Sequence, residues 1–247
     1  YKVLGENLGI SGNTNAALEM AEGDFVVLAD HDDRLTPNAL FECAKKLNEN
    51  RSCDVLYSDE DKLDMDGDEL FDPHFKPDFN PDLLTSVNYI CHLFVVSRKV
   101  IEKVGGLRSE FDGAQDYDFV LRCVEAVKDE EICHIPKILY HWRCHEDSTA
   151  ENPESTLYAF EDGRRAVQAH YERTGIHAEV FKGEYLGLYR TKFIRDHDPL
   201  ISIIIPNKDH IDDLKRCMES IEQKSTYKNY EYIIVENNST DCLLYTS

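Results

Sequence analysis

No apolar run in this sequence approaches the roughly 20 residues that cross a bilayer. The best, VNYICHLFVV at residues 87–96, is about half that length. No signal peptide opens the chain. Its first residues, YKVLGENLGIS, read as a strand entering a loop, so the chain is expected to begin inside a domain and to act in the cytoplasm. Positive charge is scarce. There are 27 Lys and Arg against 48 Asp and Glu, a formal net charge of -21. That balance excludes a nucleic acid or an anionic membrane surface as the main partner. It leaves room for an anionic ligand held through a metal ion, whose own charge reverses the local field.

Cysteine pairs at redox or metal spacing are also missing. The eight cysteines, Cys43, Cys53, Cys91, Cys123, Cys133, Cys144, Cys217 and Cys242, include no C-x-x-C. They read as reduced thiols of a cytosolic protein and not as a disulfide framework. Cys133, His134, His141, Cys144 and His145 fall close together, but their spacings fit no usual zinc template. A strand and loop with a few buried thiols is the plainer reading.

What is present is an alternation of strand and helix patterns, with 42% hydrophobic residues, ample for a core. YKVL reads as a strand, TNAALEMAEG as a helix and DFVVLA as a strand. TPNALFECAKKLNEN reads as a helix capped by Thr36, with Pro37 in its first turn. DVLYS is the next strand, and DKLDMDGDELF a hairpin turning at Asp66-Gly67. ICHLFVVS is a strand, SRKVIEKVGG a helix closed by glycine, and FDGAQDYDFVLRCVEAV a loop becoming a helix near Asp116. HIPKILYHWR is a strand, followed by the loop CHEDSTAENP and a helix from about Thr156 to Thr174. From Pro199 a strand, a helix and a second apolar strand open another βαβ unit. The order argues an α/β fold with a largely parallel sheet.

GDFVVLADHDD, residues 23–33, carries the sharpest chemistry. An apolar strand runs into Asp30, Asp32 and Asp33. Carboxylates this close repel one another, and a divalent cation relieves them. The acids around Gly67 do not make an EF-hand, because Lys62 and Pro73 stand where its first and twelfth ligands belong. A haloacid-dehalogenase-type D-x-D is disfavoured by Arg34, where that family wants Thr or Val.

The runs N-x-G-x-x-x-x-x-N from Asn7 to Asn15, GDFVVLADHDD, FDGAQDYDFVLR and ILYHWRCHEDSTA, in this order, resemble a family 2 glycosyltransferase. The resemblance covers residues 1–150 and begins again at ISIIIPNKD and VENNSTD. It implies a GT-A fold, a doubly wound nucleotide-binding domain, and a chain that is a fragment of a tandem enzyme of the bacterial polysaccharide or rhamnan type. The first domain, 1–150, is expected to lack its first strands. A helical linker and connecting segment follows at 151–197, then the opening βαβ piece of a second GT-A domain at 198–241, and a non-native tail at 242–247.

The resemblance also assigns roles. Asp30 and Asp32 are the D-x-D acids, holding Mg²⁺ or Mn²⁺ against the donor diphosphate, with His141 as a third ligand. Asp33 and Arg143 touch the donor, Trp142 walls the pocket, and Ser148-Thr149-Ala150 covers it. Asn7, Gly9 and Asn15 belong to the donor-side loop, where Thr14 stands in place of a common Arg. Asp116 is the general base, taking the proton of the acceptor hydroxyl; Asp118 is the runner-up, and Gln115 replaces the usual Glu beside it. In the second copy Pro206, Asn207, Glu236 and Asn238 bind nucleotide. Asp59, Glu60 and Asp61 line the acceptor side or form a solvated acidic turn. His141 is as readily a buried structural histidine.

The expected function is an inverting, metal-dependent transfer of a sugar from a nucleotide-diphosphate donor to a glycan or lipid-linked acceptor, in cell-surface polysaccharide synthesis. Association with a membrane would run through the acceptor alone. The Q-x-x-R-W motif of processive members is absent. The alternatives are a sugar-phosphate nucleotidyltransferase, disfavoured by the lack of a glycine-rich basic loop, and a non-catalytic glycan-binding domain.

Overall fold

The computed structural model describes residues 1–144 and 157–240. The Ser148-Thr149-Ala150 loop and the 242–247 tail lie outside the described residues. The chain divides into two units, Tyr1–Ile194 and Arg195–Ser247.

The first unit is built on a six-stranded sheet. Its elements begin with helix α1 (Gly9–Leu18), strands β1 (Phe25–Leu28) and β2 (Arg34–Leu35), and helix α2 (Ala39–Glu49). Strands β3 (Val55–Leu63) and β4 (Leu70–His74) follow, then the short helix α3 (Pro81–Leu84), strand β5 (Phe94–Ser97) and helix α4 (Arg98–Val104). Helix α5 (Gln115–Glu125), strand β6 (Ile132–Arg143) and helix α6 (Leu157–Thr174) lead to a hairpin of β7 (Ala178–Lys182) and β8 (Tyr189–Phe193). The sheet order is β1-β5-β3-β6-β2, with β4 pairing β3.

Of the pairings in this sheet only β3 with β6 is parallel. The expectation of a largely parallel sheet is corrected here. Parallel neighbours need a crossover helix. β4 instead returns through a tight turn, where Asp64 Oδ1 accepts from the amides of Gly67, Asp68 and Glu69 at 2.8–3.0 Å. Gly67 takes φ +82° there, so the hairpin turns where the sequence placed it.

Alternation along the central strands explains the apolar runs. Val55, Tyr57, Phe94 and Val96 face one core, with Phe119 and Val120 of α5 and Ala166 and Val167 of α6. Leu56, Leu93 and Val95 face the opposite core, with Ala39 and Cys43 of α2. A sheet covered on both faces needs apolar residues at every position. Residues 157–193, expected as a linker, thus pack into the first unit's core through α6 and the hairpin. Alternation in AEVFK and the glycines Gly183 and Gly187 were the available signals for that hairpin.

Two further readings differ from the structure. Residues 1–4 form no strand, having no ladder partner among the described residues. β3 continues past Ser58 to Leu63, so Asp59, Glu60 and Asp61 are buried strand residues. They do not form a solvated turn. Each has a partner: His134 Nε2 lies 2.9 Å from Asp59, Lys76 Nζ 3.4 Å from Glu60, and His141 Nδ1 2.5 Å from Asp61.

The second unit contains β9 (Ile201–Asn207), α7 (Ile211–Lys224) and β10 (Tyr230–Glu236). β9 and β10 run parallel, as expected of a βαβ piece. No helix among the described residues is long and apolar enough to cross a membrane. None of the described cysteines is in a disulfide.

Asp118 is fully buried on α5 and is held by Arg108 and Arg122, the latter at 2.9 Å. Replacing one member of a buried ion pair leaves a charge unmatched. Asp118→Ala is therefore expected to destabilise the fold by about 3–5 kcal/mol, measured by urea denaturation. A loss under about 1 kcal/mol would show that the two arginines find solvent without it.

Candidate active site

The acid loop follows β1 and is braced from the end of β6. The Asp30 amide donates to the Tyr140 hydroxyl at 3.1 Å, and that hydroxyl donates to Asp33 Oδ2. The Arg143 amide donates to Asp33 Oδ1 at 2.8 Å, and Arg143 Nε to the Asp32 carbonyl at 2.7 Å. Arg143 Nη1 reaches the carbonyls of Asp64 and Met65 at 3.1 and 2.8 Å. Arg143, expected on the donor diphosphate, thus also pins the acid loop to the β3–β4 turn.

His92 comes down on this loop from the segment before β5. Its ring stacks on Tyr140 at 4.8 Å between centroids. One ligand atom each from Asp30, Asp33 and His92 lies within 4.8 Å of the others. Two carboxylates and an imidazole form a donor set that suits a divalent cation. Burial raises the pKa of Asp33, opposed by the Tyr140 and Arg143 hydrogen bonds. The expected set was Asp30, Asp32 and His141. The Asp32 carboxylate lies 3.7 Å from His31, and His141 is buried on Asp61. Neither belongs to the Asp30 group, and His92 was not singled out. Its signal was slight: a polar residue interrupting an apolar run read wholly as strand.

Lys76 holds the His92 segment. Its buried ammonium donates to the carbonyls of Ile90, at 3.0 Å, and His92, and pairs with Glu60. Burial lowers its pKa, opposed chiefly by the Glu60 charge. The His92 amide donates to Glu60 in turn. The acid in β3 therefore supports the segment that delivers His92.

Asp116 sits in the first turn of α5, beside the same segment. Asn88 Nδ2 donates to Asp116 Oδ2 at 2.9 Å. Burial pushes the Asp116 carboxyl up, opposed by His92 and by the helix's own amides. Gln115 Oε1 accepts from Gly113 N at 2.7 Å, so Gln115 shapes the turn that presents Asp116. Asp118, the runner-up base, has both carboxylate oxygens engaged by arginine.

Helix α1 leans on this region. Asn15 Oδ1 accepts from Leu107 N at 2.7 Å and its Nδ2 donates to Leu107 O at 2.8 Å. Ser11 Oγ donates to Asp112 at 2.5 Å, and Gly9, at φ +75°, sits against Asp112. Asn7 Oδ1 accepts from Gly9 N at 3.0 Å. Asn7, Gly9 and Asn15 thus order α1 against the turn that leads to Asp116. Among the described residues, the zinc cluster does not assemble. His134 bonds Asp59 and Asp78, and Cys133 packs into the α2-side core.

In the second unit the register sets Pro206 opposite Val235 and Asn207 opposite Glu236, at the carboxyl ends of β9 and β10. Asn207 Nδ2 donates to Glu236 Oε2 at 3.0 Å, and Asn238 takes φ +53° just beyond. The Ser239 hydroxyl and Asn207 hold the Glu236 carboxyl below its usual range.

Asp116 gives a stability prediction. Its folded pKa lies above the ordinary 3.8. The folded chain therefore keeps a proton that the unfolded chain loses, and stability falls as pH rises through that window. Asp116→Asn removes the penalty. In metal-free buffer the variant is expected to be more stable than wild type at about pH 7, with the gain shrinking toward about pH 4. Denaturant unfolding across that range checks it; a variant less stable at neutral pH would contradict the burial account.

Comparison with known proteins follows the same division of the chain. The model for glycosyl transferase family 2 matches residues 1–105 and again 202–244. An uncharacterized protein of Sinorhizobium fredii, y4gI, is 42% identical over 233 residues, 94% of this chain and 26% of that protein. The O-antigen biosynthesis protein RfbC of Myxococcus xanthus is 39% identical over 227 residues, 92% of this chain and 18% of that protein. The chain therefore spans about a quarter or less of these relatives. The crystal structure of S. aureus TarS 1–349 aligns with a TM-score of 0.45 and 15% identity over 78% of this chain and 79% of that one. With the family model matching more than half of its residues, the chain, a mixed α/β protein, belongs to glycosyl transferase family 2.

Proposed function

We propose that the first unit carries the catalytic half of an inverting sugar transfer from a nucleotide-diphosphate donor to a glycan hydroxyl. The observation that carries the reading is the convergence of Asp30, Asp33 and His92 beside a half-buried Asp116. Ligands of open α/β sheets gather at the carboxyl ends of strands, where the Asp30 loop lies. Asp30, Asp33 and His92 would hold Mg²⁺ or Mn²⁺. Each Asp33 oxygen keeps a lone pair beyond the hydrogen bond it accepts. When bound, the ion supplies charge neutralisation for the leaving diphosphate.

Asp116 takes the proton from the acceptor hydroxyl. That oxygen attacks the anomeric carbon opposite the diphosphate, and the carbon–oxygen bond to the diphosphate breaks toward it. One displacement with one base inverts the anomeric centre. A carboxyl with a raised pKa accepts a proton at less cost than an exposed one. In the second unit Pro206, Asn207, Glu236 and Asn238 form a nucleotide-binding edge on the same strand-end logic. The likeness to RfbC favours a role in cell-surface polysaccharide synthesis, with a glycan or lipid-linked acceptor.

Calorimetric titration with UDP and dTDP, with and without Mn²⁺, tests the donor side. Binding is expected to need Mn²⁺ and to weaken at least about tenfold in Asp30→Asn and in His92→Ala, each checked for folding by circular dichroism. Metal-independent binding, or variants that bind like wild type, would contradict the site.

A further inference from the structure

Asn88 is placed where packing alone does not account for it. Its Nδ2 donates to Asp116 Oδ2 at 2.9 Å. Its Oδ1 is buried and has no hydrogen-bond partner among the described residues. A buried acceptor without a donor is unfavourable, and an apolar residue of similar size would avoid the loss. The amide is tolerated because its nitrogen is needed on Asp116.

We infer that Asn88 is the positioning residue of the catalytic base, holding one oxygen of Asp116 so that the other faces the acceptor hydroxyl. The inference rests on the reading of Asp116 as the base. A neutral donor suits this task. An Arg or Lys at the same place would pair with the carboxylate and hold its proton affinity down. An amide orients the carboxylate without adding a charge. The contact also survives proton transfer: the proton arrives on the other oxygen of Asp116, and Oδ2 goes on accepting from Asn88 Nδ2.

The backbone of Asn88 is fixed independently. Tyr89 and Ile90 are buried in the α5-side core. The Tyr89 hydroxyl accepts from Asn80 N at 2.9 Å, and Lys76 Nζ holds Ile90 O at 3.0 Å. The same short segment supplies His92 four residues on. One piece of chain therefore positions the base and completes the acid cluster, which keeps the two in register.

The test uses released nucleotide from a panel of UDP- and dTDP-hexoses with Mn²⁺ and short surface-polysaccharide oligosaccharides as acceptors. Asn88→Ala is expected to lower kcat about 10- to 100-fold with donor KM within about twofold. Its melting temperature should stay within about 2 °C of wild type, since the orphaned oxygen is lost with the bond. In an Asp116→Asn background, Asn88→Ala should lower kcat no further. A wild-type kcat in Asn88→Ala, with Asp116→Asn inactive, overturns the role of Asn88 and leaves the base. Full activity in Asp116→Asn overturns the base reading and this inference with it. A change in KM alone, or a large loss of stability, marks a packing residue. Should wild type turn over none of the panel, the side-chain amide of Asn88 decides by NMR. Its ¹H–¹⁵N pair must shift in Asp116→Asn; unmoved resonances overturn the contact.

Discussion

A single carboxylate ties the helices of the first unit together. Asp118 on α5 is removed from solvent, and a bare carboxylate there would be prohibitive. Arg108 and Arg122 make it tolerable, and Arg173 of α6 lies 3.8 Å away. Arg122 then spends its remaining donors on the carbonyls of Val104 and Gly106, at the end of α4. Asn15 of α1 grips the next residue, Leu107. Four helices are thus referred to one buried charge. The first turn of α5, and Asp116 with it, has little freedom to move.

The second constraint is the row of acids inside β3. Three consecutive carboxylates in a buried strand hold only because polar partners arrive from elsewhere in the chain: His134 and His141 from β6, and Lys76 from the segment after β4. Those partners do more than neutralise. β6 carries Tyr140 between Asp61's histidine and the acid loop, and Lys76 grips the carbonyl of His92. The structural charges of β3 and the chemical charges of the acid loop share the same supports. The pairing that lets the strand fold therefore also supports the site.

Two parts of the site run against stability. Asp116 is half-buried with its pKa raised, and Asn88 leaves an amide oxygen unmet. Both departures sit in adjoining side chains beside the acid loop. Three other described buried polar atoms also lack a partner, Thr36 Oγ1, Ser97 Oγ and Arg98 Nη2; what marks Asn88 among them is that its amide nitrogen is on Asp116.

The sequence by itself determined most of the strands and helices, since periodicity is local, although the Thr36 cap did not form and α2 begins at Ala39. Val55 to Tyr57, Phe94 to Ser97, the α5 and α6 helices, the Gly67 turn and the βαβ pattern from Ile201 to Glu236 were all legible. So was the placing of Asp116 near the start of a helix, and the run of carboxylates after an apolar strand, since both are local features. Tertiary structure alone decided which residues meet. Asp33 stands in the acid cluster where Asp32 was expected, because Tyr140 and Arg143, more than 100 residues away, select it. His141 is claimed by Asp61, and His92 takes its expected place beside the acids. Whether Asp59 to Asp61 face water or the core depends on partners from β6 and beyond β4. The mixed sheet likewise depends on how the chain returns between strands. A sequence states the chemistry each residue can offer; only long-range pairing decides which offer is taken up, because a carboxylate's fate depends on the nearest cation in space and not in sequence.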